Sequence, residues 1–321
     1  MPGDPSKSLS PEDILVGGQA VIEGVMMRTP YAYAVAVRRA DGSLEVKKEG
    51  VRRLSQMWKP LSWPVIRGFA VLLQSLVLGL RSLNFSFSAA MADADPAAAE
   101  RARTKRGDSE WFPVVLSIGG AAAVAVLLFI LAPLGIATWL KGYFAAVHNW
   151  VVFNLVDGVI RLVFFLGYIL LISRMRDIRR VFEYHGAEHK VVYTWEAAED
   201  LTVENARRKS RLHPRCGTSF LMFVMAVSII VFSLFKFHAF WAIFLSRVVL
   251  VPLISGLSYE LIRLSAPRCQ RGAFRVLVGP GLLLQRITTA EPSDDQLEVA
   301  IHALREALEL DSRKAREAAA A

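Results

Sequence analysis

Apolar positions in this chain fall in long blocks, and the blocks set the expected architecture. A helix needs roughly 20 mostly apolar residues to cross a bilayer. Phe112–Leu140 has no charged residue, and Pro133 predicts a kink within it. Trp150–Ser173 qualifies although it holds Asp157 and Arg161. Cys216–Phe235 is uncharged, and Phe240–Leu264 is apolar while carrying Arg247, Glu260 and Arg263. The pattern thus predicts four spans. Trp63–Ala90 is also apolar but carries Arg67 and Arg81. A full span there would put Lys47, Lys48, Arg52 and Arg53 on the outer side, so an interfacial or re-entrant helix is expected instead.

The polar stretches predict less. Residues 1–13 hold no basic segment followed by an apolar run, so no secretory signal is expected and a disordered tail is. Tyr33–Val51 alternates around Asp41-Gly42, the signature of a β-hairpin. Before it, Gly17–Arg28 lacks the features of a phosphate loop or dinucleotide fingerprint. It reads either as a strand bounded by glycines or as a site segment using Gln19, Glu23 or Arg28. Met91–Glu110 reads as a mobile linker, and Gly279-Pro280-Gly281 as turns. Ser293 with Gln296 three residues on is a capping box, opening a helix with a stripe of Leu297, Ile301, Leu304 and Leu308. His302 lies off that stripe and is expected to be exposed.

Composition and charge then add sidedness. Of 321 residues, 54% are hydrophobic, and the formal net charge is +9. That is too apolar for a disordered chain or a nucleic-acid-binding tail, so no nucleic-acid partner is expected. The basic residues gather in Arg174–Arg215, before the first span (Arg101, Arg103, Lys105, Arg106) and after the last (Arg268, Arg271, Arg275). Lys141–Asn149 and Lys236–Ala239 carry one lysine each. The positive-inside rule therefore puts both termini and the central loop in the cytoplasm, with Trp139, Trp150 and Trp241 near the outer ends of the spans. Cys216 and Cys269 are too few for a disulfide framework and suit a reducing compartment.

The chemistry concentrates in the central loop. His185-Gly186-Ala187-Glu188-His189 has the order H-x-x-E-H. On a helix the two histidines share a face, and the motif of inverted zinc hydrolases uses this order for two ligands and a general base, here Glu188. Two imidazoles need a third protein ligand. His213 is ranked first, Glu260 second and Cys216 third, the last reading more readily as a small buried apolar residue than as a ligand. Had the second span run on as a straight helix, His185 would lie about 18 Å beyond it, so a shared ion requires the His185–His189 segment to fold back. Asp157 and Arg161, four apart, form either an ion pair that locks helix packing or part of a polar cavity leading to the metal region. Arg247 is expected to snorkel outward.

Gly17–Arg28, Tyr184–Lys190, the stretch His213–Ser219 that includes Arg215, and Ser258-Tyr259-Glu260 with Gln285-Arg286-Ile287-Thr288-Thr289 together resemble the YqhQ-like family of bacterial membrane proteins. The resemblance covers roughly Ile14–Leu308 and implies a domain of unknown function often described as a metal-dependent enzyme. The expected fold is mainly α: a polytopic inner-membrane protein with four transmembrane helices, a small N-terminal β-hairpin region and a cytoplasmic C-terminal helix. Its parts are a tail (1–13), a cytoplasmic β region (14–62), a helix and linker (63–110), a membrane domain (111–266) with loop 174–215, and a C-terminal region (267–321). The expected cofactor is a divalent ion, zinc before others. The expected activity is hydrolysis of a peptide or lipid-linked group at the membrane surface. The rivals are a scaffold with a structural metal and a transporter using Asp157, Arg161, Arg247 and Glu260. An open coordination position favours the enzyme, and four protein ligands favour the scaffold.

Overall fold

The computed structural model describes residues 16–51, 59–95, 111–265 and 272–320. The expected tail at 1–13, most of the expected linker, the basic residues at 101–106, 268 and 271, and Cys269 lie outside them.

The glycine-bounded segment forms a hairpin of its own. Strands β1 (Gly17–Val21), β2 (Gly24–Arg28), β3 (Ala32–Arg38) and β4 (Leu44–Gly50) make one antiparallel sheet in sequential order. Val21 pairs with Gly24, leaving Ile22-Glu23 as a two-residue turn with Glu23 at φ 53°. A β-carbon on Gly24 would lie 2.1 Å from the Ala36 carbonyl, so the close strand approach requires glycine there. The sheet is covered on both faces, which explains why β2 and β3 are apolar at nearly every position.

One face packs on two helices, α5 (Arg176–Glu196) and the C-terminal α11 (Asp294–Ala320). The capping box forms: Ser293 N–H donates to Gln296 Oε1 at 2.9 Å, and Gln296 N–H to Ser293 Oγ at 3.4 Å. Leu297, Ile301, Leu304 and Leu308 are buried, joined by Val299, Ala300, Ala303 and Ala307. The buried arc is wider than the stripe because α11 touches both the sheet and α5. His302 is half-exposed.

The other face packs on α1 (Ile66–Ala94), where Leu78 and Ala89 meet Val21, Met26, Tyr33, Val35 and Val37. This helix is unbroken over 29 residues and takes in the first residues of the expected linker, up to Ala94. On its far side Ile66, Phe69, Leu73, Leu76, Leu80, Leu83 and Phe87, spaced alternately three and four apart, are all exposed.

The remaining helices bundle. The chain runs from α2 (Trp111–Val126) through a π turn at Leu127–Leu131 into α3 (Ala132–Lys141). Pro133 lacks the N–H that a regular turn would use, which accounts for the irregularity. Then come α4 (Trp150–Ile172), the short α6 (Val203–Arg207), α7 (Gly217–Leu234), α8 (Phe240–Val249), α9 (Val251–Ser265) and α10 (Gly272–Thr288).

Among the described residues, four single helices are long and apolar enough to cross a membrane: Ile66–Ala94, Gly119–Lys141, Trp150–Ile172 and Gly217–Leu234. Three of the expected four spans are among them. The fourth, Phe240–Leu264, passes the same test as the pair α8 and α9, bent by 46° beside Pro252, and α1 qualifies in addition. Gly279-Pro280-Gly281 is helical rather than a set of turns. Gly281 there meets Ser219 of α7 so closely that a β-carbon would lie 2.6 Å from its Oγ, and this packing holds the proline inside the helix.

Asp157 is buried between two arginines. Arg161 donates to its Oδ2 at 2.9 Å, and Arg247 Nη2 lies 3.2 Å from the same oxygen. Arg247 also donates to Asn154 Oδ1 at 2.6 Å and stacks on Phe232, with its guanidinium carbon 3.9 Å from the ring centre. It therefore does not snorkel outward, because buried polar partners outcompete the surface.

Candidate metal centre

The fold-back that a shared site demands takes place at Ser173–Met175. Helix α4 ends at Ile172, Met175 is extended, and α5 starts at Arg176 in a new course over the sheet. Gly186 makes the approach possible. A β-carbon there would lie 2.1 Å from the Ala290 carbonyl, and Ala290 N–H donates to Phe182 O at 2.8 Å.

On this face of α5, His185 and His189 present their rings at a centroid distance of 4.4 Å. Each ring is oriented by a backbone carbonyl. His185 Nδ1 lies 2.8 Å from Thr288 O, and His189 Nδ1 lies 2.5 Å from Arg211 O. Both rings therefore carry their proton on Nδ1, leaving each Nε2 as an acceptor. Cys216 Sγ is 3.1 Å from His185 Nε2. One ligand atom from each of His185, His189 and Cys216 falls within 4.8 Å of the others. His189 Nε2 is buried with no hydrogen-bond partner among the described residues. Cys216 is the N-cap of α7, its Sγ accepting from Thr218 N–H at 3.4 Å.

Glu188 lies on the same helical face and is buried. Burial pushes its carboxyl above the usual range, while the imidazoles of His185 and His213 and the N–H of Gly18 pull the other way. Gly18 is the glycine the carboxyl requires, since a β-carbon there would lie 2.9 Å from Glu188 Cγ.

His213, ranked first as third ligand, sits beside the pair with its ring 5.6 Å from that of His189. Its nitrogens point elsewhere. Nδ1 accepts from Arg215 N–H at 3.3 Å, and Nε2 faces Glu196 at 3.2 Å. Burial lowers its pKa to about 4, so it is a neutral imidazole donating from Nε2 to Glu196. Arg215 pairs with the same Glu196. Of the three ranked candidates, it is Cys216 that the structure brings to the two histidines.

The other residues singled out in the sequence lie elsewhere. Both oxygens of Glu260 are held by Arg67, at 2.6 and 2.5 Å. Tyr259 borders a cleft beneath α1. Gln19 lies over Gly79 of α1, on the face opposite Gly18, as strand alternation dictates. Glu23 pairs with Arg180, docking the first hairpin on α5. Arg28 reaches Gln74 and Ser75 of α1. Asp157 and Arg161 belong to the helix bundle.

Gln285 supports the site from α10, outside the His-x-x-Glu-His motif. Its Oε1 accepts from His213 N–H at 2.7 Å, and its Nε2 donates to His213 O at 2.7 Å and Ser219 Oγ at 2.9 Å. It clamps the backbone that carries His213 toward Cys216. Arg211 likewise donates to Thr289 Oγ1 at 2.9 Å. The only sequence signal was the stretch Gln285–Thr289.

A family model described as a protein of unknown function, DUF1385, matches residues 63–310. The chain belongs to this family. An uncharacterised protein of Bacillus subtilis (strain 168), YqhQ, is 34% identical over 300 residues, covering 92% of this chain and 93% of that relative. No solved structure gives a significant match. DUF1385 membership fits the motif resemblance and supplies no activity. In this DUF1385 protein the matched region takes in the His185–His189 helix, Cys216 and Gln285, while β1–β4 precede it.

Proposed function

We propose that this chain is a metal-dependent hydrolase of the bacterial inner membrane, acting on a peptide or lipid-linked group at the cytoplasmic surface. The observation that carries the reading is the joint orientation of His185, His189 and Cys216: two imidazoles fixed through Nδ1 by backbone carbonyls, with their Nε2 atoms and a thiol converging. This is the outer-shell pattern that orients metal-binding histidines. Two nitrogens and a sulfur suit zinc. The unsatisfied, buried Nε2 of His189 fits a site whose missing partner is a cation.

Such an ion, when bound, acidifies water and polarises an acyl or phosphoryl oxygen. Glu188 is the proton carrier, because it is a buried carboxyl beside the histidine pair and burial makes it hold a proton more tightly than an exposed carboxylate. His213 with Glu196 and Arg215 holds the wall of the site and stays neutral.

Membrane placement follows from the apolar helices and the distribution of basic residues, with both termini cytoplasmic. The exposed stripe on α1, opposite a face covered by the sheet, supports an interfacial rather than spanning α1.

A structural staple is the second reading. It is favoured by the way the cluster ties α5 to the start of α7 and the end of α10. The two readings separate on Glu188→Gln in purified protein. The enzyme reading expects metal retained and turnover of a hydrolysable substrate lost. Metal lost together with the fold supports the staple.

A further inference from the structure

A cleft of about 750 Å³ opens between β1, β2, α1 and α9. Three arginines line it, Arg28, Arg67 and Arg263, and no Asp or Glu does among the described residues. Arg67 is neutralised by Glu260. No carboxylate among the described residues neutralises Arg28. Its guanidinium is half-buried and is steadied by two uncharged groups, Gln74 Oε1 at 2.5 Å and Ser75 Oγ at 3.2 Å. Desolvation disfavours its charge, and no carboxylate among the described residues offsets the cost. Arg263 stands exposed at the rim.

A guanidinium held by neutral partners is poised for an anion, and its planar fork matches the oxygens of a phosphate. Met26, Val71 and Leu78 line the same cleft, so an apolar tail can lie beside the charged group. The helix roofing the cleft exposes its apolar stripe on the opposite side. Gly18 forms part of the cleft wall and on its other side touches Glu188. The cleft and the histidine cluster are thus separated by one glycine of β1.

We propose that Arg28, with Arg263 at the entrance, binds the phosphate of an anionic amphiphile in this cleft. This deepens the lipid-linked option of the proposed function and rests on that membrane placement, though not on the presence of a metal.

The test uses full-length protein in neutral detergent. Binding of short-chain phosphatidic acid, phosphatidylcholine and inorganic phosphate is measured for wild type, Arg28→Gln, Arg28→Lys and Arg263→Gln, with thermal unfolding and metal content recorded for each. Phosphatidic acid should bind tightest, and Arg28→Gln should weaken it by about tenfold or more, as expected for loss of a charged hydrogen-bonded pair. Arg28→Lys should fall between, keeping charge without the fork. Arg263→Gln, on the rim, should weaken binding with unfolding unchanged, which keeps the test valid if Arg28→Gln folds poorly. Inorganic phosphate competing as well as the lipid would support the phosphate site and assign it to soluble phosphate compounds. Lipid binding indifferent to headgroup charge, or to Arg28→Gln in a folded protein, would overturn the proposal. Metal content equal in wild type and Arg28→Gln keeps either result separate from the histidine cluster.

Discussion

Gly18 and Glu188 are in van der Waals contact across the junction of β1 and α5, with the glycine N–H turned to the buried carboxyl. A methyl group at Gly18 would sit 2.6 Å from the Met26 carbonyl as well as 2.9 Å from Glu188 Cγ. Gly18→Ala should therefore destabilise the protein by about 1–3 kcal/mol, the usual range for overpacking. Denaturant unfolding in detergent checks this, and an unchanged midpoint would show that the strand and helix do not meet as described.

Glu188→Gln should separate stability from function. Burial raises the folded pKa of Glu188 above its ordinary value of 4.5. The folded state then binds the proton more tightly than the unfolded state, so this group's stabilising contribution is present at low pH and lost as pH rises through the folded value. In metal-free protein the variant should match wild type near pH 4 and become relatively more stable toward neutrality. Unfolding curves across pH test the sign, and a gap that widens toward acid would contradict it.

Gly186→Ala has a different target. The new methyl group would press on the Ala290 carbonyl, forcing α5 away from the segment that supplies the Thr288 carbonyl to His185. A loss of about 1–3 kcal/mol is expected, with weaker metal retention than in Gly18→Ala. Metal titration of the two variants side by side makes the comparison.

The bundle offers an independent test. Asp157→Asn removes the one carboxylate shared by Arg161 and Arg247. Breaking a buried ion pair from one side costs about 3–5 kcal/mol, so the yield of folded protein should collapse. Adding Arg247→Met should recover part of it, because one cation then no longer needs a partner. A double variant worse than the single would contradict this account.

Much of the fold was legible because it depends on local patterns. The Asp41-Gly42 hairpin, the Ser293 cap and the stripe of α11 each follow from neighbours a few residues apart. The first hairpin was harder, since its turn uses Glu23 at a positive φ where glycine would signal a turn, and both faces of β2 are buried. The break at Leu250 and the helical course through Pro280 depend on packing between distant helices. In the site, the pairing of His185 with His189 was readable from helical spacing alone. The rank of Cys216 over Glu260 was not, because Arg67, 193 residues away in sequence, takes both Glu260 oxygens. Gln285 was equally hidden, acting across 72 residues on backbone atoms that carry no sequence signature.

The most direct measurement is the metal content of purified full-length protein, wild type beside His189→Ala and Cys216→Ser, by elemental analysis. About one equivalent of divalent metal, zinc foremost, should accompany the folded wild type and fall away in both variants. Negligible metal in wild type, or equal metal in all three, would contradict a cation held by these two imidazoles and the thiol.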